Sequence, residues 1–122
     1  MIGKGTTRTV VVLGPIALKF ARSERGRRCN RFEADLYRRV CERRRAMLCP
    51  ILWCAPLAIV VAMATAKPLT EAERDQLWET DGFPDWDCMP PNDDGEPFEW
   101  KPSDWGQLDG RLVALDYSAP AL

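Results

Sequence analysis

The stretch Glu99-Trp100-Lys101-Pro102-Ser103-Asp104-Trp105-Gly106-Gln107-Leu108-Asp109-Gly110-Arg111-Leu112-Val113-Ala114-Leu115-Asp116-Tyr117-Ser118 decides how the rest of the chain is read. At its centre an Asp109-Gly110 pair supplies the positive φ that a tight hairpin turn needs. The apolar run at 112–115 is too short for a helix and ends on the carboxylate of Asp116. A second carboxylate, Asp104, stands just before the first arm, so a hairpin brings both acids to one end. Carboxylates placed in this way suit a hard cation such as Mg²⁺, which takes one or two of them together with phosphate oxygens.

The chain has 122 residues, enough for one domain with its own core. The net charge of −1 argues against a general nucleic-acid binder, and no specific nucleic-acid partner is expected. The distribution of charge is uneven. Residues 19–45 hold eleven Lys/Arg against four Asp/Glu, whereas residues 70–110 hold two against thirteen. The halves can therefore attract each other or face different partners, or simply form two solvated faces. There is no histidine, which rules out His-ligated zinc and His-based acid–base chemistry. Five cysteines (Cys29, Cys41, Cys49, Cys54, Cys88) lack any C-x-x-C spacing and are expected to be free thiols, mostly in the core, of a cytoplasmic protein. The N-terminus has no signal-peptide pattern, and the longest apolar run, 56–66, is too short to span a bilayer, so no membrane partner is expected.

From the N-terminus, β-branched residues at 6–12, the Gly14-Pro15 pair and a second apolar run predict a strand, a turn and a strand. Lys19 sits in that second strand among apolar neighbours. Burial there demands an anionic partner, unless the side chain snorkels to water from an edge. Residues 23–47 predict a helix with Phe32, Leu36 and Val40 as its apolar stripe and Arg43, Arg44 and Arg45 in a last turn that favours cations. Two adjacent strands follow over 48–64, with a Pro56-containing turn. Thr70 and Glu73 then mark a short helix start, and 81–97 reads as an ordered loop anchored by Trp86 and Cys88.

Several of these segments resemble the protein-kinase signature set, in the family's order along the chain. Glu99-Trp100-Lys101-Pro102-Ser103-Asp104 resembles the catalytic loop D-x-K-P-x-N, and Leu115-Asp116-Tyr117-Ser118 resembles the D-F-G segment. Gly3, Gly5 and Val10 match the phosphate-covering G-x-G-x-x-G-x-V, with Arg8 in place of the third glycine. Ile16-Ala17-Leu18-Lys19 resembles V-A-I-K, and Asn30 to Arg39 resembles the helix that carries the lysine's partner, a role placed on Glu33 with Asp35 as competitor. The resemblance covers 3–70 and 99–118, and no counterpart of the family's peptide-binding helical lobe is expected within these residues.

The resemblance implies a reduced kinase-like α+β fold. It would have an antiparallel sheet of about five strands, one long packed helix and a small C-terminal hairpin. The single domain over 1–122 would divide into an N-lobe-like part (1–69), a short helix and loop (70–98) and a catalytic-loop/DFG-like hairpin (99–118). It further implies ATP and Mg²⁺ as ligands. Lys19 would contact the phosphates with Glu33 holding it in place, and both would serve catalysis together with Glu99 and Lys101. Asp104 and Asp116 would bind the metal, Gly3, Gly5, Arg8 and Val10 would cover the phosphates, and the backbone at Ala62, Met63 and Ala64 would contact adenine. Arg8 is expected to reach phosphate as a cation. Two functions follow. One is a minimal phosphotransferase acting on a small molecule, itself or a docked protein. The other is an inactive kinase-like protein that regulates a protein partner, its reduced size hinting at a phage or mobile-element origin.

Overall fold

The computed structural model describes residues 7–86 and 96–122, with the backbone of 2–4. The elements are β1 (Ile2–Lys4), β2 (Arg8–Leu13), β3 (Ile16–Ala21), α1 (Glu24–Arg39), α2 (Glu42–Arg45), β4 (Ile51–Cys54), β5 (Val60–Ala64), β6 (Lys67–Pro68), α3 (Glu71–Thr80), β7 (Trp105–Leu108) and β8 (Arg111–Ala114). The fold is α+β with antiparallel sheets. Five strands run in the spatial order β1-β2-β3-β5-β4, and a second sheet has the order β6-β7-β8.

The hairpin read from the sequence is β7–β8. Asp109 and Gly110 take φ values of 51° and 78°, the two positive angles of a tight two-residue turn. It is not a hairpin alone, because Lys67 and Pro68 pair with Gln107 and Gly106 and add a third strand. Strand β8 is also tied to the 47–49 segment: Ala114 N donates to Met47 O at 2.8 Å and Cys49 N donates to Ala114 O at 2.9 Å. Those two bonds tie the small sheet to the segment that leads into β4 of the large one. Trp105, Val113, Tyr117, Leu48 and Met63 are buried around the join.

Helix α1 starts on Ser23, whose hydroxyl accepts from Gly26 N at 3.3 Å. Gly26 is demanded by packing, since a Cβ there would lie 2.3 Å from the Thr7 carbonyl oxygen. The helix predicted over 23–47 breaks at Val40, which is extended (φ −74°, ψ 160°), before the single turn of α2. Arg45 explains the break. Its guanidinium turns back and donates to the carbonyls of Tyr37 (2.7 Å), Arg38 (2.9 Å) and Val40 (2.8 Å), capping the end of α1. Arg44 is not a surface cation either. It is buried, donates to Trp86 O at 2.9 Å and lies 4.8 Å from the Trp86 ring centroid.

The buried face of α1 also differs from the predicted stripe. It runs through Gly26, Cys29, Asn30, Glu33 and Leu36, with Phe32 only partly buried on its flank. Helix α3 forms where Thr70 and Glu73 placed it. Thr70 Oγ1 accepts from Glu73 N at 3.1 Å and Thr70 N donates to Glu73 Oε1 at 2.9 Å. Cys29 and Cys49 are core residues, but Cys41 is exposed and Cys54 half-buried, so the expectation of mostly core thiols holds for two of the four described. Gly5 and Cys88 lie outside the described residues. No helix among the described residues is long and apolar enough to cross a membrane.

Candidate functional site

A cleft of about 520 Å³ opens between the two sheets, a size suited to a small-molecule ligand. Strand pairing decides which side chains face it. Val10 stands opposite Lys19 and Val12 opposite Ala17, so these four share one face of the large sheet, and all four line the cleft. Arg8 enters from the start of β2. Met63 and Ala64 come from β5, Glu99, Lys101 and Asp104 from the turn before β7, and Leu115, Asp116 and Ser118 from the chain after β8. Gly3, in β1, lies opposite Val10 by backbone pairing.

The polar centre is built on Glu33, a fully buried residue of α1. Lys19 Nζ lies 3.1 Å from Glu33 Oε1 and donates to Leu115 O at 2.6 Å. Tyr117 N donates to Glu33 Oε2 at 2.9 Å. Burial lowers the pKa of Lys19, with Glu33 opposing and Arg8 reinforcing that shift. Asp35, the competitor, is half-exposed and pairs with Arg38 at 3.0 Å, remote in role from Lys19.

Arg8 departs most from its expected position. It is buried, ion-paired with Glu33, and donates to Asn30 Oδ1 at 3.2 Å, Asp116 Oδ1 at 3.3 Å and Ser118 Oγ at 3.2 Å. The guanidinium is therefore held by carboxylates rather than standing over the cleft as a free cation. Two cations (Arg8, Lys19) meet two carboxylates (Glu33, Asp116), and the cluster is electrically balanced.

Asp104 and Asp116 reach the same end of the hairpin because Trp105 pairs with Ala114 and Leu115 N donates to Asp104 O at 2.8 Å. Their environments push them apart. Burial and the neighbouring Asp116 raise the Asp104 carboxyl to about 6 against the pull of Lys101. For Asp116 burial acts upward, but Lys19, Arg8 and the Ser118 N–H and hydroxyl hold it below the usual carboxylate range. Glu99 and Lys101, both about half-exposed, form an ion pair at 3.3 Å at the cleft mouth, and Lys101 lies 3.8 Å from Asp104. Asp104 draws the Lys101 pKa upward, with Glu99 adding to it.

One predicted position is displaced. Ala62 does not line the cleft, because its register partners are Leu18 and Trp53 on the opposite face of the sheet. The wall is continued instead by Thr65 and Ala66. Ala64 N is used by Pro50 O and Thr65 N by Pro15 O, both at 2.9 Å, so these amides already have partners. Thr65 Oγ1 is buried without a partner, a hydroxyl whose cost a ligand atom would remove.

Asn30, Thr65 and Ser118 are site residues that sequence reasoning passed over. Asn30 Nδ2 donates to Lys19 O at 3.1 Å and Ala58 O at 3.0 Å, tying the lysine strand to α1. Its signal was present, since it stands one turn before Glu33 on the same helix face.

The donor set suits a hard divalent cation: two carboxylates stand at one end of the cleft, and the Asp104 carboxyl is raised by burial and by its neighbour's charge, which a cation would offset. Among the described residues no group of three or more His, Cys, Asp or Glu gathers as a metal centre, so a cation here would need further oxygens from its ligand. Comparison of the chain with protein-family models, with curated proteins and with solved structures finds no match.

Proposed function

We propose that this is a nucleotide-binding protein on a reduced protein-kinase-like fold, which transfers a phosphoryl group from ATP to a small molecule, to itself or to a docked protein. The observation that carries the proposal is the convergence of Lys19, braced by buried Glu33 of α1, with Asp104 and Asp116 in one cleft. Lys19, Glu33 and Asp116 match the family's motifs in order, Asp104 stands in place of the family's asparagine, and they come from segments nearly a hundred positions apart.

In this reading Lys19 supplies positive charge to the phosphates and Glu33 orients it. Apolar Val10, Ala17 and Met63 exclude water from the base-binding part of the cleft. Asp104 and Asp116 would hold Mg²⁺, which when bound neutralises phosphate charge. Glu99 orients the acceptor hydroxyl and takes its proton, while Lys101 beside it offsets charge at the mouth. The adenine edge would meet the wall at Met63 to Ala66.

A second reading is favoured by Arg8. An arginine that already satisfies Glu33 and Asp116 makes the cluster complete without a ligand, as a regulatory protein that binds no nucleotide would need. A thermal-shift titration with Mg²⁺-ATP separates the two. At about 100 times Kd the expected stabilisation is roughly 2.7 kcal/mol, and Lys19→Ala and Asp116→Ala should remove it. No shift at millimolar Mg²⁺-ATP would favour the nucleotide-free reading.

A further inference from the structure

Trp86 and Trp105 are buried, and Trp100 packs edge-on against Phe83 at 5.2 Å. Trp78 on α3 is 66% exposed and joins no ring contact among the described residues. It lines two adjoining grooves. One, of about 550 Å³, is formed by Trp78, Phe83 and Trp100 together with Asp81 and Asp85. The other, of about 460 Å³, follows α3 beside Pro102 and Ser103 and takes in Glu71, Arg74, Asp75, Trp78 and Glu79. Those five α3 positions are spaced as one face of a helix, while Leu77 of the same helix is buried in the core. Three features of this surface favour a positive charge. The faces of its aromatic rings attract cations. In the α3 groove three carboxylates stand with one cation, Arg74. Helix α3 ends with Asp81 as its cap and no basic residue in its last turn, whereas α1 and α2 both end on arginines. The negative end of the α3 dipole therefore lies at the aromatic groove without a cation from its own helix.

We propose that this surface docks an extended basic peptide of a partner protein, with one arginine side chain in the aromatic groove and further cations along α3. The sign of the charge excludes nucleic acids and acidic peptides, which the same carboxylates repel. Spacing selects an extended chain. Glu71, Asp75 and Glu79 follow one another at four-residue intervals, about 6 Å of helix rise each. Alternate residues of an extended peptide point the same way and stand about 7 Å apart, close to that interval. A small cation would fill the aromatic groove alone and leave the α3 row unmatched.

Arginine suits the aromatic groove better than lysine, because its planar guanidinium stacks on indole faces and pairs two-pronged with a carboxylate. Ser103 lines both the α3 groove and the central cleft, so a peptide held on α3 passes the cleft mouth.

The probe is a fluorescently labelled peptide of alternating arginine and alanine, about eight residues long so as to span α3. It is titrated with the full chain, without nucleotide, at about 0.15 M salt and followed by anisotropy. Saturable binding is expected, weaker for a lysine–alanine peptide and absent for a glutamate–alanine one. Trp78→Ala should weaken it at least about tenfold, the scale of an aromatic anchor. Glu79→Gln should weaken it about threefold, the scale of one exposed ion pair. Asp35→Asn, which removes an acid from α1 instead, should leave it unchanged. Trp78 and Glu79 are both exposed, and each variant is checked for an unchanged far-UV spectrum and a cooperative melt, so that misfolding of one leaves the other decisive. No binding up to about 1 mM overturns the proposal. So does binding that Trp78→Ala and Glu79→Gln leave unchanged, that Asp35→Asn weakens as much as Glu79→Gln, or that is equal for the arginine and lysine peptides. Complete displacement by free arginine at about 10 mM overturns it in favour of a small-cation pocket. Self-association of the chain alone, lost in Trp78→Ala, overturns it in favour of the arginine-rich α1 of a second copy. Because no nucleotide is present, the outcome stands whether or not the cleft binds ATP.

Discussion

Arg8 and Glu33, 25 positions apart in sequence, form a buried ion pair on the same carboxylate that holds Lys19. One acid thus serves two cations, and removing it leaves buried Lys19 without its carboxylate and buried Arg8 with Asp116 alone. Glu33→Ala is expected to cost about 3–5 kcal/mol, a large part of a domain's stability, measured by urea denaturation. Asp35→Ala, two residues away but half-exposed with Arg38, should cost less than about 1 kcal/mol. Equal losses in the two variants would refute the central role of Glu33.

Arg8→Gly would install the residue that the resembled loop carries at this position. It should lower stability, because Glu33 loses one of its two cations, and it should release Asp116 from its 3.3 Å contact. If Arg8 competes with a ligand for that carboxylate, the thermal shift with Mg²⁺-ATP should be larger in Arg8→Gly than in wild type. An unchanged shift would mean that Arg8 does not compete.

Glu99 separates catalysis from binding. It sits half-exposed at the cleft mouth, paired with Lys101 and away from the Lys19–Glu33 cluster. Glu99→Gln should keep nucleotide affinity while lowering autophosphorylation or ATP turnover by about two or more orders of magnitude, the scale of a general base. Glu99→Asp should preserve or raise the rate. Absence of turnover in wild type and in Glu99→Asp, with either Mg²⁺ or Mn²⁺, would support the regulatory reading.

Asp104 makes the stability pH-dependent. Its carboxyl rises to about 6 in the folded chain, above the value of about 3.9 for an unfolded aspartate. A raised value favours the protonated form in the fold, so this contribution is full below about pH 4 and is lost as pH climbs through about 6. Asp104→Asn should therefore stabilise the protein at pH 7–8, by about 1–2 kcal/mol after solvent screening, and have little effect at pH 4. Denaturation midpoints of both proteins across pH 4–8 would show it. Parallel curves would contradict the raised value.

Gly26 is constrained by contact. A methyl group there would meet the Thr7 carbonyl oxygen at 2.3 Å and Ala21 Cα at 3.1 Å, both backbone atoms. Gly26→Ala should cost about 1–3 kcal/mol despite the better helix propensity of alanine, read from the same denaturation curves. A stabilised variant would show that α1 can slide on the sheet without cost.

What the sequence determined by itself was governed by chemistry acting over a few residues. The Asp109-Gly110 turn, the Thr70–Glu73 capping box and the β2–β3 hairpin at Gly14 follow from local backbone preferences, and each formed where those preferences placed it. The candidate site was legible as residue types in order: Lys19, Glu33, Asp104 and Asp116 all belong to one cluster around the cleft. Which group each would touch was not legible. That Arg8 turns to Glu33, that Arg45 ends α1 at Val40, that Arg44 lies against Trp86 and that Ala62 faces away from the cleft all depend on partners brought close only by folding. A long cationic side chain reaches many acceptors, and it takes the one whose burial makes an unpaired charge most costly. Burial is a property of the assembled sheets and helix, so that choice belonged to the tertiary structure.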